Sequence, residues 1–276
     1  MNKIDSTPWA SCVRDALPEL AKLSPALASN AATATWLLHG STTRGIDDAV
    51  SDLDAWCLPP IDQPPLFVQF ELSGKAGHVQ VEQRPAFERR LRQCDFPLIY
   101  ELRHAIILQD PDGWAERLLS IARRPMPADV QAAWFAHHYI EMRSEHRAID
   151  NPIERRDAIA VLQATTSTIA HALRAALVLD GEPHPFSKWL AHAAVQAPTG
   201  RQIVPIIEGL IDDLGAGVLR VGGPERDHPI NRRLKQIRTI LIDTARARGI
   251  DAPWLDWWYL HLDQRGAIHR VEWNPQ

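Results

Sequence analysis

Hydrophobic and polar positions follow two different periods along the 276-residue chain, and the change of period divides it. Up to about residue 123, short runs with a period of two alternate with helical stretches. Beyond it the apolar spacing is three to four residues. The first region predicts a helix over Val13 to Ala28, interrupted near Pro18 and Pro25. A buried strand, ATATWLLH, ends at His39, and Gly40-Ser41 turns the chain into a short helix or loop. Strands follow at Asp52 to Leu58, Leu66 to Leu72 and His78 to Gln83, with a turn over Ser73 to Gly77. In the last of these Val79 and Val81 share one face, and His78, Gln80 and Glu82 the other. A helix is expected after Pro85, then a strand ending at Asp110. Pro111-Asp112-Gly113 opens another helix, with Asp110 and Asp112 as turn and N-cap residues.

The second region reads as helices. Phe135, Tyr139, Met142, His146 and Ile149 form one stripe; Leu162, Thr166, Ile169, Leu173 and Leu177 a second; Leu234, Ile237, Leu241 and Ala245 a third. Gly181 and Gly249 stop the second and third. Two prolines in RRPMPAD, residues 123–129, mark the boundary, so domains are expected at 1–124 and 125–276.

Composition narrows the classes. Hydrophobic residues at 45% and charged residues at 23% describe an ordinary folded chain. Thirty basic and thirty-four acidic side chains leave a net charge of −4, which argues against a protein built to neutralise nucleic-acid phosphates. No apolar run approaches the ~20 residues of a membrane span. The stretch MNKIDSTPWASCVRD lacks the apolar segment of a secretory signal, and three scattered cysteines fit no disulfide or metal pattern. The expectation is a cytoplasmic protein with reduced thiols.

The segment that carries chemistry is LLHGSTTRGIDDAVSDLDAWCL, from Leu37 to Leu58. Asp52 and Asp54 stand two apart on a strand, so their side chains leave one face, with Cα atoms ~6.5 Å apart. Paired carboxylates repel unless a cation lies between them, and hard oxygen ligands suit Mg²⁺. The Gly40-Ser41 turn offers backbone N–H groups and a hydroxyl to phosphate. Asp47 and Asp48 belong to the intervening loop.

A buried strand, Gly-Ser, ten residues and Asp-x-Asp together resemble the signature of the DNA polymerase β-type nucleotidyltransferase superfamily. The resemblance implies an α+β fold: an N-terminal mixed β-sheet catalytic domain with flanking helices, then an all-helical substrate-binding domain. It implies that Asp52 and Asp54 hold two Mg²⁺ ions, joined by a third carboxylate from a neighbouring strand, with Glu82 as first choice and Glu71 as second. Gly40 and Ser41 would bind the triphosphate. Arg44 is either a further phosphate contact or an exposed loop arginine. Leu98 to Gly113, LIYELRHAIILQDPDG, and Asp180 to Leu190, DGEPHPFSKWL, resemble the aminoglycoside- and lincosamide-modifying branch. There Lys188 matches a lysine that reaches the nucleotide phosphates, and a solvated helix-end lysine is the plainer alternative.

The implied reaction is transfer of a nucleoside monophosphate, AMP from ATP, to a hydroxyl of a small molecule such as an antibiotic. Trp134, His138, Glu141 and Glu145 share a helix face that would hold a cationic acceptor, or else is a solvated face. The Trp-rich segment Ala252 to Gly266 suits core packing or a contact between two copies of the chain. Two other functions remain open: nucleotidyl transfer to a protein or tRNA, and a non-catalytic nucleotide-binding or antitoxin-like partner.

Overall fold

In the computed structural model, which describes residues 8–61, 63–220 and 228–273, helix α1 (Pro8–Leu20) buries Ala10, Val13, Leu17 and Leu20 at helical spacing. Of the two expected interruptions, the one near Pro25 divides the segment into two helices. The backbone extends at Ser24 (φ −153°), whose hydroxyl accepts from Leu27 N–H and caps α2 (Pro25–Asn30). Pro18 stays inside α1, whereas Pro25 opens α2, the position where its missing N–H costs least. Residues 1–7, on which the signal-peptide reading partly rests, lie outside the described residues.

The first unit ends at Arg124 and the second covers Pro125–Trp273. The first is built on a five-stranded sheet: β1 (Thr35–His39), β2 (Leu53–Leu58), β3 (Leu66–Leu72), β4 (Lys75–Val81) and β5 (Ile106–Gln109). Their spatial order is β3-β4-β2-β1-β5, parallel at β2/β4 and antiparallel elsewhere, so the sheet is mixed. The β3–β4 turn is tighter than the pattern suggests. Leu72 pairs with Lys75, and only Ser73 and Gly74 turn, both at positive φ. Positive φ at both central residues lets a two-residue hairpin follow the twist of the strands.

One face of the sheet carries Trp36, Leu38, Leu53, Ala55, Cys57, Val79, Val81, Ile106 and Leu108 into a single core with α1 and Leu27. Strand alternation therefore sends Leu37, His39, Asp54, Trp56, His78 and Gln80 to the opposite face. Helices α3 (Ser41–Arg44), α4 (Arg84–Arg92), α5 (Phe96–His104) and α6 (Trp114–Ala122) complete the unit. The Trp56 ring meets Phe87 of α4 edge-on at 4.9 Å. Asp110 accepts from Ala115 and Glu116 N–H, and Asp112 from Trp114 N–H, so both acids cap α6.

The second unit is helical among the described residues: α7 (Ala128–Arg147), α8 (Asp150–Arg155), α9 (Ala158–Leu179), α10 (Leu190–Gln196), α11 (Pro198–Gly215) and α12 (Pro229–Ala247), with short 3₁₀ turns. The whole is an α+β protein. The stripes on α7 and α12 are buried throughout. The stripe on α9 is displaced in its first half. Leu162 and Thr166 face solvent, and Val161, Ala164, Thr165, Thr168 and Ala172 are buried instead. Helices α7 and α9 pack against each other, and small side chains at such a contact let two backbones approach. Trp254 belongs to the core, with Phe135 at 5.5 Å and Tyr139 at 5.7 Å, while Trp257 and Tyr259 are exposed.

Candidate metal centre

The end of β1, the start of β2 and the middle of β4 converge at one point of the sheet. The register places His39 opposite Asp54 across the antiparallel pair, and Asp54 beside His78 across the parallel pair. Asp52 lies two residues before Asp54, on the same face. His78 Nε2 is 2.6 Å from Asp54 Oδ1, and His78 Nδ1 is 3.5 Å from Asp52 Oδ2. One ligand atom from each of the three lies within 4.8 Å of the others. Their side chains are partly open: Asp52 46%, Asp54 15% and His78 23% exposed.

Gly40 shapes this point sterically. Its backbone sits at φ 85°, ψ −158°, a region open essentially to glycine alone. A Cβ there would fall 2.4 Å from Asp54 Oδ2. The glycine thus leaves room for the second carboxylate. Its N–H donates to Glu101 Oε2 at 3.0 Å, a side chain of α5. Ser41 opens the four-residue helix α3 and is buried at the turn. Thr43 Oγ1 donates to Gly40 O at 3.0 Å and fixes the same turn.

Glu101 is the residue that the sequence pattern did not single out. It is buried, accepts from Gly40 N–H, and pairs with Arg44 Nη1 at 3.2 Å. Burial pushes its carboxyl up, but His39, Arg44 and the Gly40 amide outweigh that and hold it below the usual carboxylate range. Arg44 is consequently not an exposed loop arginine. Its side chain is 5% exposed and lies over the Tyr100 ring at 5.2 Å. The His39 ring stacks on Trp56 at 3.6 Å. Asp47 is tied to Lys75 at 3.0 Å and belongs to the loop that holds the hairpin.

Glu82 is not brought to the aspartate pair. It shares their face of the sheet, but His78 occupies the position level with Asp54. Glu82 follows four residues later, ~13 Å along the strand. Its carboxylate accepts from Arg90 Nη1 at 3.0 Å and from Gln80 Nε2 at 2.7 Å. Glu71 is paired with Ala76 on the far side of β4 from β2. The donor set is therefore two carboxylates and an imidazole. It fits a divalent cation, since the like charges of Asp52 and Asp54 stand together in a notch that Gly40 keeps open.

The remaining expected residues lie in the second unit. Lys188 is exposed in the 3₁₀ turn Ser187–Trp189, its ammonium 6.0 Å from the Trp189 ring. The α7 face is not an acidic wall. His138 is buried, its Nδ1 3.1 Å from His171 Nδ1, with the rings of His137 and His184 at 4.9 and 5.1 Å. Trp134 packs against His138 at 5.5 Å and His184 at 5.8 Å. Glu141 is paired with Arg265 at 3.0 Å, and Glu145 is half-buried. Burial, together with neighbouring positive groups, pushes His138 well below the usual imidazole range, His171 to about 4 and His184 to about 3.

No helix among the described residues is long and apolar enough to cross a membrane. No family model matches the chain, and no curated protein matches its sequence. Among solved structures, it is similar to a nucleotidyltransferase-like protein from Exiguobacterium sibiricum, at 10% identity and a TM-score of 0.47, over 91% of this chain and 78% of that one. A likeness at this level assigns neither family nor function.

Proposed function

We propose that the chain is a metal-dependent nucleotidyltransferase that moves a nucleoside monophosphate, AMP from ATP, onto a hydroxyl of a small molecule in the cytoplasm. The observation that carries this reading is the Gly40 notch closed over Asp54, with Asp52 and His78 completing a cluster within 4.8 Å. Such a cluster serves a reaction whose difficulty is negative charge. The acceptor oxygen attacks the α-phosphorus, the bond from that phosphorus to the bridging oxygen breaks, and pyrophosphate leaves with the electron pair. The hydroxyl proton passes to solvent or to a carboxylate of the site. Divalent ions bound there, two Mg²⁺ in the reading from sequence, would supply charge neutralisation on the phosphates. Asp52 and Asp54 would hold these ions. Ser41 orients a phosphate oxygen. Glu101 and Arg44 act through the turn, by fixing Gly40.

The acceptor class proposed is an aminoglycoside or lincosamide, on the resemblance of the Leu98–Gly113 and Asp180–Leu190 segments. The test is a mass-spectrometric screen for a nucleotide adduct over these acceptors, with pyrophosphate release measured in parallel. Adduct formation that disappears in Asp52→Asn and Asp54→Asn supports the proposal. Full transfer by both variants would overturn it.

A further inference from the structure

We propose that the second unit holds a binding site for a phosphate-type oxyanion, built by Arg174 and His171 of α9, His138 of α7 and His184 of the segment after α9. The inference is independent of the aspartate centre and of the transfer reaction. His171 and Arg174 stand three apart on one helix and so share a face. Across the contact between α7 and α9, His138 Nδ1 lies 3.1 Å from His171 Nδ1. The His184 ring joins them, 5.1 Å from that of His138 at 63°. The tip of Arg174 is fixed, its Nη2 donating to Ser187 Oγ at 3.2 Å.

What the cluster lacks is an acceptor. His138 is 3% exposed, and its Nε2 has no hydrogen-bond partner among the described residues. The buried Nε of Arg174 has none either. Buried polar atoms are almost always paired, so two such atoms in one cluster mark a place for a ligand. The acids of the surrounding elements are engaged elsewhere or open to water. Glu141 pairs with Arg265, Asp180 with Thr199 and Arg248, and Glu182 is exposed. His137 is held by Arg265 O at 2.8 Å. Burial first, then cationic neighbours that include Arg174, keeps His138, His171 and His184 uncharged near neutral pH, and no carboxylate counters them. Such a set repels a cation and attracts an anion. The anion pairs with Arg174 and raises the imidazoles, so protons enter with it. His184 Nδ1 is turned to Pro185 O at 3.3 Å, which leaves Nε2 to donate once the ring is protonated. Donors come from two helices and a loop and not as one planar fork. That suits the several oxygens of a tetrahedral anion better than a carboxylate.

The test titrates sulfate into the full chain by calorimetry, because sulfate keeps its charge while the imidazoles titrate. Saturable binding is expected in the wild type, tightening as the pH falls from about 7.5 to about 6. The ring ¹⁵N resonances of His138 and His171 should shift as the site fills. Arg174→Gln should weaken binding about tenfold or more, and Arg201→Gln, an exposed arginine of α11, should leave it unchanged. Should Arg174→Gln fail to fold, His171→Asn takes its place with the same expected loss. Displacement of sulfate by inorganic phosphate or by glycerol 3-phosphate supports the site, and the tighter of the two separates a free anion from a phosphoryl group on a larger molecule. A wild type that binds no sulfate, or a folded Arg174→Gln that binds it equally, overturns the proposal. An affinity independent of pH, with unmoved imidazole resonances, overturns the part of the histidines. Zn²⁺ binding that is lost in His138→Asn, without any sulfate binding, assigns the cluster to a metal and overturns the anion site.

Discussion

Replacing Gly40 by alanine tests whether the notch beside Asp54 exists as described. Two separate penalties should appear. The first is conformational: φ 85°, ψ −158° is a region that a residue with a Cβ occupies at a cost of about 1–3 kcal/mol. The second is steric. The new methyl would stand 2.4 Å from Asp54 Oδ2, where contacts under 3.0 Å are essentially never seen, so the carboxylate must swing away from His78. Such overpacking costs about 1–3 kcal/mol where the neighbour cannot yield. Asp54 is 15% exposed and can yield in part, which puts the sum near 3 kcal/mol. Urea unfolding of wild type, Gly40→Ala, Asp54→Ala and the double variant separates the two. The double variant should recover the steric part and keep the conformational part, a coupling of about 1 kcal/mol. Affinity for Mn²⁺ should fall in Gly40→Ala although no ligand has been changed. A Gly40→Ala protein as stable as wild type and binding Mn²⁺ equally well would refute the geometry.

Two further outcomes follow from the same network and from the second unit. Glu101→Gln should destabilise the chain by about 3 kcal/mol, because it breaks the buried ion pair with Arg44 and weakens the acceptor of the Gly40 amide; a loss below about 0.5 kcal/mol in chemical denaturation would contradict it. Buried His146 and His184 are held to about 4 and about 3, chiefly by burial, so the unfolded chain takes up their protons first as the pH falls. Their contribution is intact above the usual imidazole value and is lost on going below it. Stability should drop by about 2 kcal/mol between pH 6 and pH 5 from these two, and His184→Asn should flatten the profile; an unchanged slope in that variant would contradict the assignment.

The elements of the first unit were legible because their apolar periods are strong. The alternation of Val79 and Val81 against His78, Gln80 and Glu82 correctly placed the polar face of β4. What alternation could not supply was register. β2 and β4 are parallel and joined through β3, so the residue level with Asp54 depends on how far the intervening chain runs before turning. The choice of Glu82 followed charge type; the register delivers His78. The tight Ser73-Gly74 turn fixes the β3–β4 pairing alone and leaves the β2–β4 register to tertiary packing. Glu101 was hidden for a different reason. It lies in a helix 61 residues from Gly40, and its buried ion pair with Arg44 is a tertiary fact. On α9, large apolar side chains drew the expected stripe toward Leu162, whereas the packed face is defined by small ones. The α7 polar face looked acidic in sequence because its partners, His171, His184 and Arg265, come from other elements.

The central claim is that Asp52 and Asp54 bind a divalent ion together with a nucleoside triphosphate. Its most direct measurement is a titration of Mn²⁺ into the chain with a non-hydrolysable ATP analogue, followed by Mn²⁺ electron paramagnetic resonance. The account predicts a saturable bound ion in the wild type, strengthened by the analogue and lost in the Asp52→Asn, Asp54→Asn double variant. Equal Mn²⁺ and nucleotide binding in the folded double variant would contradict it.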